Sequence, residues 1–323
     1  MKPLRAAVIG TGYLGRFHAQ KYAALPEAEL VAVVDSNPER AKAVAEEVGC
    51  RALTDYRELA GQVDVASIVV PTQLHHQVAT DLLLQNTHVL VEKPITVTLD
   101  EADSLVRLAA ERDLRLQVGH LERFNPAVQA MVDMVVTPMF IESHRLAPYN
   151  PRGADVSVVL DLMIHDIDII LNLVGQPLTR IDANGVAVIS NDIDIANARL
   201  QFGNGCVANV TASRVSQKSE RKMRLFQPSG YIALDFQSRS LDIRRTGSGE
   251  QAPGIPEIIS EQREFEGGDA ILSEIRAFLR SVHTGSRPIV SGEDGRQALA
   301  TAIEITRQLK ANPLPGQPVN NPA

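Results

Sequence analysis

The sequence predicts a two-domain α/β protein: an N-terminal Rossmann unit with a doubly wound parallel sheet, then an α+β domain on a large, mostly antiparallel sheet. Three observations carry that expectation. Over residues 1–120, short apolar runs alternate with amphipathic stretches, the rhythm of parallel strands joined by helices. A G-x-G-x-x-G turn directly follows the first apolar run and opens a helix-like stretch. Past about residue 122 the rhythm changes to a series of β-like runs broken by glycine turns such as "FGNG". At 323 residues and 44% hydrophobic, the chain is long enough for two cores. The expected division is 1–121, 122–310 and a Pro- and Asn-rich flexible tail, 311–323.

The first-domain strands are expected at Arg5–Ile9, Glu29–Val34, Val65–Val69, His88–Val91 and Arg115–Val118. Helices are expected between them at Tyr13–Leu25, Pro38–Val48, His75–Gln85 and Leu99–Arg112. Pro38 suits a first helical turn, where a missing N–H costs nothing, and Asp100–Asp103 brings acid to a helix N-terminus. In the second half, a long helix at Val156–Val174 precedes strands at Thr179–Ile189, Ala196–Phe202, Gly205–Ser213, Lys222–Gln227, Tyr231–Asp235 and Leu241–Arg244. Asp269–Val282 and Gly292–Leu309 close the chain as helices.

Composition excludes several classes. A net charge of −7 argues against a general nucleic-acid binder. No apolar run approaches the roughly 20 residues of a membrane span, and the start "MKPLRAAVIG" leads into a glycine turn rather than a cleavage site. Cys50 and Cys206 stand far apart with no metal-ligand spacing, which fits a reducing, cytoplasmic setting and no metal.

"AAVIGTGYLGRFH" places Gly10, Gly12, Tyr13, Leu14 and Gly15 at a dinucleotide turn. The first glycine permits the tight turn, the second admits a pyrophosphate to the backbone, and the third lets helix and strand pack closely. The next apolar run ends in Asp35, where a carboxylate accepts hydrogen bonds from an adenosine ribose. That carboxylate repels a 2′-phosphate, Ser36 and Asn37 add no positive charge, and Arg40 is expected a turn inside the following helix. The cofactor expected is therefore NAD rather than NADP.

"HVLVEKPIT" runs a strand directly into Glu92, Lys93 and Pro94, at a carboxyl end where open parallel sheets bind ligands; a cis bond before Pro94 is one way to fix that turn. With Pro71, Thr72 and His75 ahead of it, the order of motifs resembles the Gfo/Idh/MocA family of NAD(P)-dependent oxidoreductases, over nearly the whole chain. The resemblance implies a second-domain sheet that mediates homodimers or homotetramers. It also implies a lysine, Lys93, reaching both nicotinamide and the reacting hydroxyl.

"VSVVLDLMIHDIDIILNLVG" carries Asp161, His165 and Asp168 at i, i+4 and i+7, one face of an otherwise apolar helix. A core histidine satisfied by Asp161 is the plainer reading. Two carboxylates on its own face favour a catalytic one. His165 then suits a base for a hydroxyl proton, Asp161 orients it, and Lys93 stabilises the developing alkoxide. The resemblance places the family's acid/base residues on this D-x-x-x-H pattern and leaves the division between lysine and histidine open.

Substrate contacts are expected from "GHLERFNPA" (His120 on the nicotinamide side, Arg123 and Asn125 on the substrate) and from "SHRLAPYNPRGADV" (Arg145, Tyr149, Arg152). "ASRVSQKSERK" reads equally as a binding loop or a solvated hairpin. Local cations in an acidic chain suggest an anionic substrate. These motifs are similar to those of the family subset that oxidises C3 of a UDP-amino sugar such as UDP-N-acetylglucosamine. The alternatives are an inositol or free-hexose dehydrogenase and a non-catalytic NAD-binding regulator.

Overall fold

The computed structural model describes residues 2–150, 157–228 and 230–311. In the first half the chain runs β1 (Leu4–Ile9), α1 (Tyr13–Ala24), β2 (Ala28–Val34), α2 (Pro38–Val48), β3 (Arg51–Leu53), β4 (Val65–Ile68), α3 (His75–Leu84), β5 (His88–Glu92), α4 (Leu99–Glu111) and β6 (Leu116–Gly119). The strands form an all-parallel sheet in the order β3-β2-β1-β4-β5-β6. That order reverses between β1 and β4, the switch point where doubly wound sheets open a ligand crevice. Helices on both faces explain why the strands read as continuous apolar runs: Ala6–Val8, Ala32–Val34 and Val89–Val91 are all at most 2% exposed. Local chemistry sets the helix ends. The Asn37 side chain accepts from the Arg40 N–H ahead of α2, and Thr98 with Glu101 forms a reciprocal capping box on α4.

The second half adds α5 (Pro126–Val132), β7 (Phe140–Leu146), α6 (Ile164–Val174), β8 (Leu178–Val186), β9 (Ile195–Phe202), β10 (Val207–Ser213), β11 (Glu220–Gln227), β12 (Gly230–Asp235), β13 (Ser240–Ala252) and β14 (Ile255–Glu264). Their sheet has the order β14-β13-β12-β11-β7-β10-β9-β8, antiparallel except where β10 pairs with β7. One face is core: Ile141, Ala208, Val210, Met223, Leu225, Ile232 and Leu234 are at most 2% exposed. The other face carries Phe140, Phe226 and Tyr231, neighbours in register with ring centroids 5.9 and 5.1 Å apart. Two helices follow, α7 (Ala270–Thr284) and α8 (Gly292–Ala311).

The chain divides into two compact units, but not by a single cut near residue 121. The first unit holds 1–124 and 269–299, and the second holds 125–268 and 300–323. Helix α7 thus returns to the nucleotide-binding unit, where Ile275, Phe278 and Leu279 join one core cluster with Val8, Tyr22 and Leu90. Residues 312–323 of the expected tail lie outside the described residues. Among the described residues, no helix is long and apolar enough to cross a membrane.

Candidate active site

Parallel register brings the chemistry-bearing ends of the first sheet into one row. Ile9 pairs with Val34 and Ile68, Ile68 pairs with Val91, and Glu92 pairs with Gly119. Asp35, Gly10, Val69, Lys93 and His120 therefore follow one another across the carboxyl end of the sheet.

At β1, Gly10 has φ +91°, and a Cβ there would collide with the Val69 carbonyl; one at Gly15 would collide with the Gly10 carbonyl. A Cβ at Gly12 would meet nothing within 4 Å. Gly12 also caps α1 without any side-chain hydrogen bond, so the helix start presents open N–H groups. Tyr13 is 85% exposed beside it, edge-on to Phe17, and Leu14 is half-buried. Asp35 Oδ2 accepts the Thr11 N–H and hydroxyl at 2.8 and 3.0 Å, and Oδ1 accepts the Asn37 N–H at 2.9 Å. Burial opposes its charge, but the hydrogen bonds from Asn37 and Thr11 and the nearby Arg40 prevail and hold this carboxyl below the usual range. These features fit a dinucleotide: an open glycine and helix start for the phosphates, and an ionised, oriented carboxylate for a ribose. Arg40 departs from expectation. Its long side chain reaches back to place Nη1 3.6 Å from Asp35 Oδ2.

At β4, Pro71 and Thr72 start a single tight turn, and His75 is 1% exposed behind it. Its ring nitrogens lie 2.9 Å from the Pro94 and Val70 carbonyls, so His75 joins the ends of β4 and β5. Burial lowers its pKa, leaving a neutral ring at pH 7 that donates to one carbonyl at a time. At β5 the Lys93–Pro94 bond is cis, and Lys93 is half-buried. At β6, His120 is 1% exposed, and burial with the charges of Lys93 and Arg123 takes its pKa down to about 3. His120 is thus a neutral neighbour of Lys93 rather than a titrating acid or base. Arg123, 8% exposed, donates from Nη2 to the Ile289 carbonyl at 3.1 Å.

In the second unit, the expected helix begins as a π-helical turn, Val159–Met163, that gives way to α6 at Ile164. π-turns inside helices recur at functional sites. Asp161 sits on this turn and is exposed, His165 is half-buried one step into α6, and Asp168 is 2% exposed. Asp166, between them, accepts from Arg145 Nε at 2.7 Å and Nη2 at 3.3 Å, with both side chains at most 3% exposed. The Arg145 guanidinium also lies 5.1 Å from the Phe236 ring centroid. The cation expected at a substrate is therefore set in a buried ion pair that ties β7 to α6. Asn125 also differs from expectation: Oδ1 caps α5 at the Ala127 N–H, and Nδ2 donates to the Phe236 carbonyl. Tyr149 is 36% exposed. Arg152 lies outside the described residues. Arg214 of the basic loop is buried too, donating to Asp194, which itself accepts three successive backbone N–H groups from Val188 to Ser190.

Residues 4–120 match the family model described as an oxidoreductase family with an NAD-binding Rossmann fold, and residues 139–233 match the Gfo/Idh/MocA C-terminal domain. The UDP-N-acetylglucosamine 3-dehydrogenase of Acidithiobacillus ferrooxidans is 41% identical over 309 residues, 95% of this chain and 98% of that one. The chain belongs to the Gfo/Idh/MocA family. A solved structure of the Acidithiobacillus enzyme matches it with a TM-score of 0.89 at 39% identity, over 96% of this chain and 99% of the other. A Bacillus subtilis scyllo-inositol 2-dehydrogenase (NAD(+)) is 27% identical over 97% of this chain and 96% of its own. As a Gfo/Idh/MocA protein, the chain is an oxidoreductase with NAD as its cofactor.

Several working residues carried no readable signal. Thr11 supports Asp35 from an x position of the glycine motif, and Asp166 was one of several acids on its helix.

Proposed function

We propose that the enzyme oxidises a secondary hydroxyl of a nucleotide sugar to a ketone, namely C3 of UDP-N-acetylglucosamine. The observation that carries this is the 41% identity, end to end, with a dehydrogenase of that name, against 24–27% for inositol dehydrogenases of similar coverage. NAD, when bound, accepts the hydride. His165 takes the hydroxyl proton, Asp161 orients its ring, and the Lys93 ammonium stabilises the alkoxide. The proposed cofactor contacts are Gly10, Gly12, Tyr13, Leu14, Gly15, Asp35, Pro71, Thr72, Glu92, Lys93 and His120. His75 joins them as a support of the β4 and β5 ends. Arg123, Tyr149 and Arg152 are the proposed substrate contacts. Arg145 and Asn125 support the fold around them, as their hydrogen bonds suggest.

A substrate panel read at the absorbance of reduced nicotinamide tests this. UDP-N-acetylglucosamine is expected to exceed N-acetylglucosamine and myo-inositol by about 100-fold or more in kcat/KM, since a site built for a polar group rejects analogues lacking it. Inositol turnover at or above that of the UDP-sugar would replace the assignment with an inositol dehydrogenase.

The open sheet face is proposed to seat a second copy of the chain, because Phe140, Phe226 and Tyr231 cluster there and Phe226 is 37% exposed. Phe226→Glu is expected to halve the mass in light scattering, and an unchanged mass would sink the idea. The unpaired Cys50 and Cys206 suit a cytoplasmic location, which cell fractionation checks.

A further inference from the structure

A chain of polar side chains runs through the buried side of the first unit and ends at Glu92, the residue before Lys93. The Tyr22 hydroxyl lies 3.1 Å from Ser67 Oγ, which lies 3.2 Å from His18 Nδ1. His18 Nε2 faces Glu92 Oε1 at 3.2 Å, and Glu92 Oε2 accepts the Lys93 backbone N–H at 3.3 Å. Tyr22 can give its proton to Ser67 and Ser67 to His18 Nδ1, whereas His18 Nε2 makes no hydrogen bond among the described residues and only approaches Glu92 at ion-pair distance. Space for the Glu92 carboxylate comes from Gly119, where a Cβ would sit 2.8 Å from its oxygens.

Glu274 completes the cluster from α7. It is fully buried, and neither carboxyl oxygen has a hydrogen-bond donor among the described residues. Ligand atoms of His18, Glu92 and Glu274 all lie within 4.8 Å of one another. Two ionised carboxylates this close without solvent repel, and a buried carboxylate lacking donors is costly. Burial drives the Glu274 carboxyl well above its ordinary range, and the Glu92 charge pushes it the same way. A proton on Glu274 removes one charge and turns an acceptor without a partner into a donor beside Glu92.

We propose that Glu274 is a positioning residue: as a neutral carboxylic acid it donates its proton to Glu92 and so fixes the carboxylate that holds the Lys93 backbone amide. The consequence for turnover rests on the proposed role of Lys93. The charged or titratable groups that act on Glu274 are His18 and Tyr22 on α1 and Glu92 at the end of β5.

The test combines thermal melts across pH with steady-state kinetics. A carboxyl whose folded pKa lies above its unfolded one gives stability that is full below the unfolded pKa and lost as pH rises through the folded value. The wild-type Tm is therefore expected to fall toward alkaline pH. Glu274→Gln keeps a donor and cannot ionise, so its Tm should fall less, with kcat within about twofold of wild type. Glu274→Leu keeps the volume and loses the donor. It should lower kcat about fivefold or more while KM for NAD stays within about twofold. A Gln variant as impaired as the Leu variant, or with the wild-type alkaline slope, overturns the proposal. So does a stoichiometric divalent metal in the purified wild type that the Gln variant has lost, which assigns His18, Glu92 and Glu274 to a cation. The melts need no turnover, so they separate failure of this proposal from failure of the Lys93 role.

Discussion

Lys93→Met is expected to lower kcat by about 10²–10³-fold, the usual cost of removing a donor aimed at developing oxyanion charge. Methionine keeps the apolar stem of lysine and deletes only the ammonium, so the EKP turn should survive. Backbone and neighbouring groups help to hold that turn: Glu92 accepts the Lys93 backbone N–H, and His75 lies at hydrogen-bond distance from the Pro94 carbonyl. The melting temperature should accordingly change little, while turnover collapses. The KM for NAD should move far less than kcat, because Asp35 and the glycine turn carry the ribose and phosphates in the proposed binding mode. His165→Asn is expected to cost a similar 10²–10⁴-fold if it is the base. The Lys93→Met and His165→Asn double variant should then cost little more than the worse single, since groups that act as a unit are not additive. Lys93→Met with kcat within about threefold of wild type would remove lysine from the mechanism. Full turnover by His165→Asn would leave proton removal to Lys93.

Much of the first unit was legible because its strands are buried on both faces, so apolar runs and glycine punctuation stand out. Ends differ by a residue or two, as between Arg5–Ile9 and Leu4–Ile9, and α2 matches at both ends. Strand β7 was invisible for the opposite reason. Its buried face holds Ile141, Ser143 and Arg145, so polar residues occupy core positions and the apolar alternation vanishes. Edge strand β14 is almost entirely exposed and begins Ile-Pro, and β3 has three residues. At Gly10, Asp35 and Lys93 the motif positions and the carboxyl ends of the strands coincide. The buried partners of Arg145 and Asn125, Asp166 and the Phe236 carbonyl, were not legible, since a sequence gives a side chain's type and not its partner. Domain order hid Glu274: nothing in "AILSEIRAFL" says that this helix packs with Tyr22 rather than with the sheet preceding it.

The Arg145–Asp166 pair gives the largest stability effect to be expected. Breaking a buried ion pair from one side, where both side chains are at most 3% exposed, costs about 3–5 kcal/mol. Asp166→Ala and Arg145→Met should therefore each lower the melting temperature, on the order of 10 °C. Replacing both partners with apolar groups removes both desolvation costs, and such swaps are often neutral or stabilising. The double variant Arg145→Met with Asp166→Leu should melt above either single variant. A double that melts lower than both would show that the hydrogen-bond geometry between β7 and α6, rather than charge compensation, holds this region. The same double variant also decides what Arg145 does for the substrate. As a support beneath Asp161 and His165, it should leave KM for the sugar within about threefold once stability is restored. A KM raised about 100-fold in a variant that melts like wild type would return Arg145 to direct contact with an anionic substrate. Stability and KM thus separate a cation that holds the helix from one that holds the ligand.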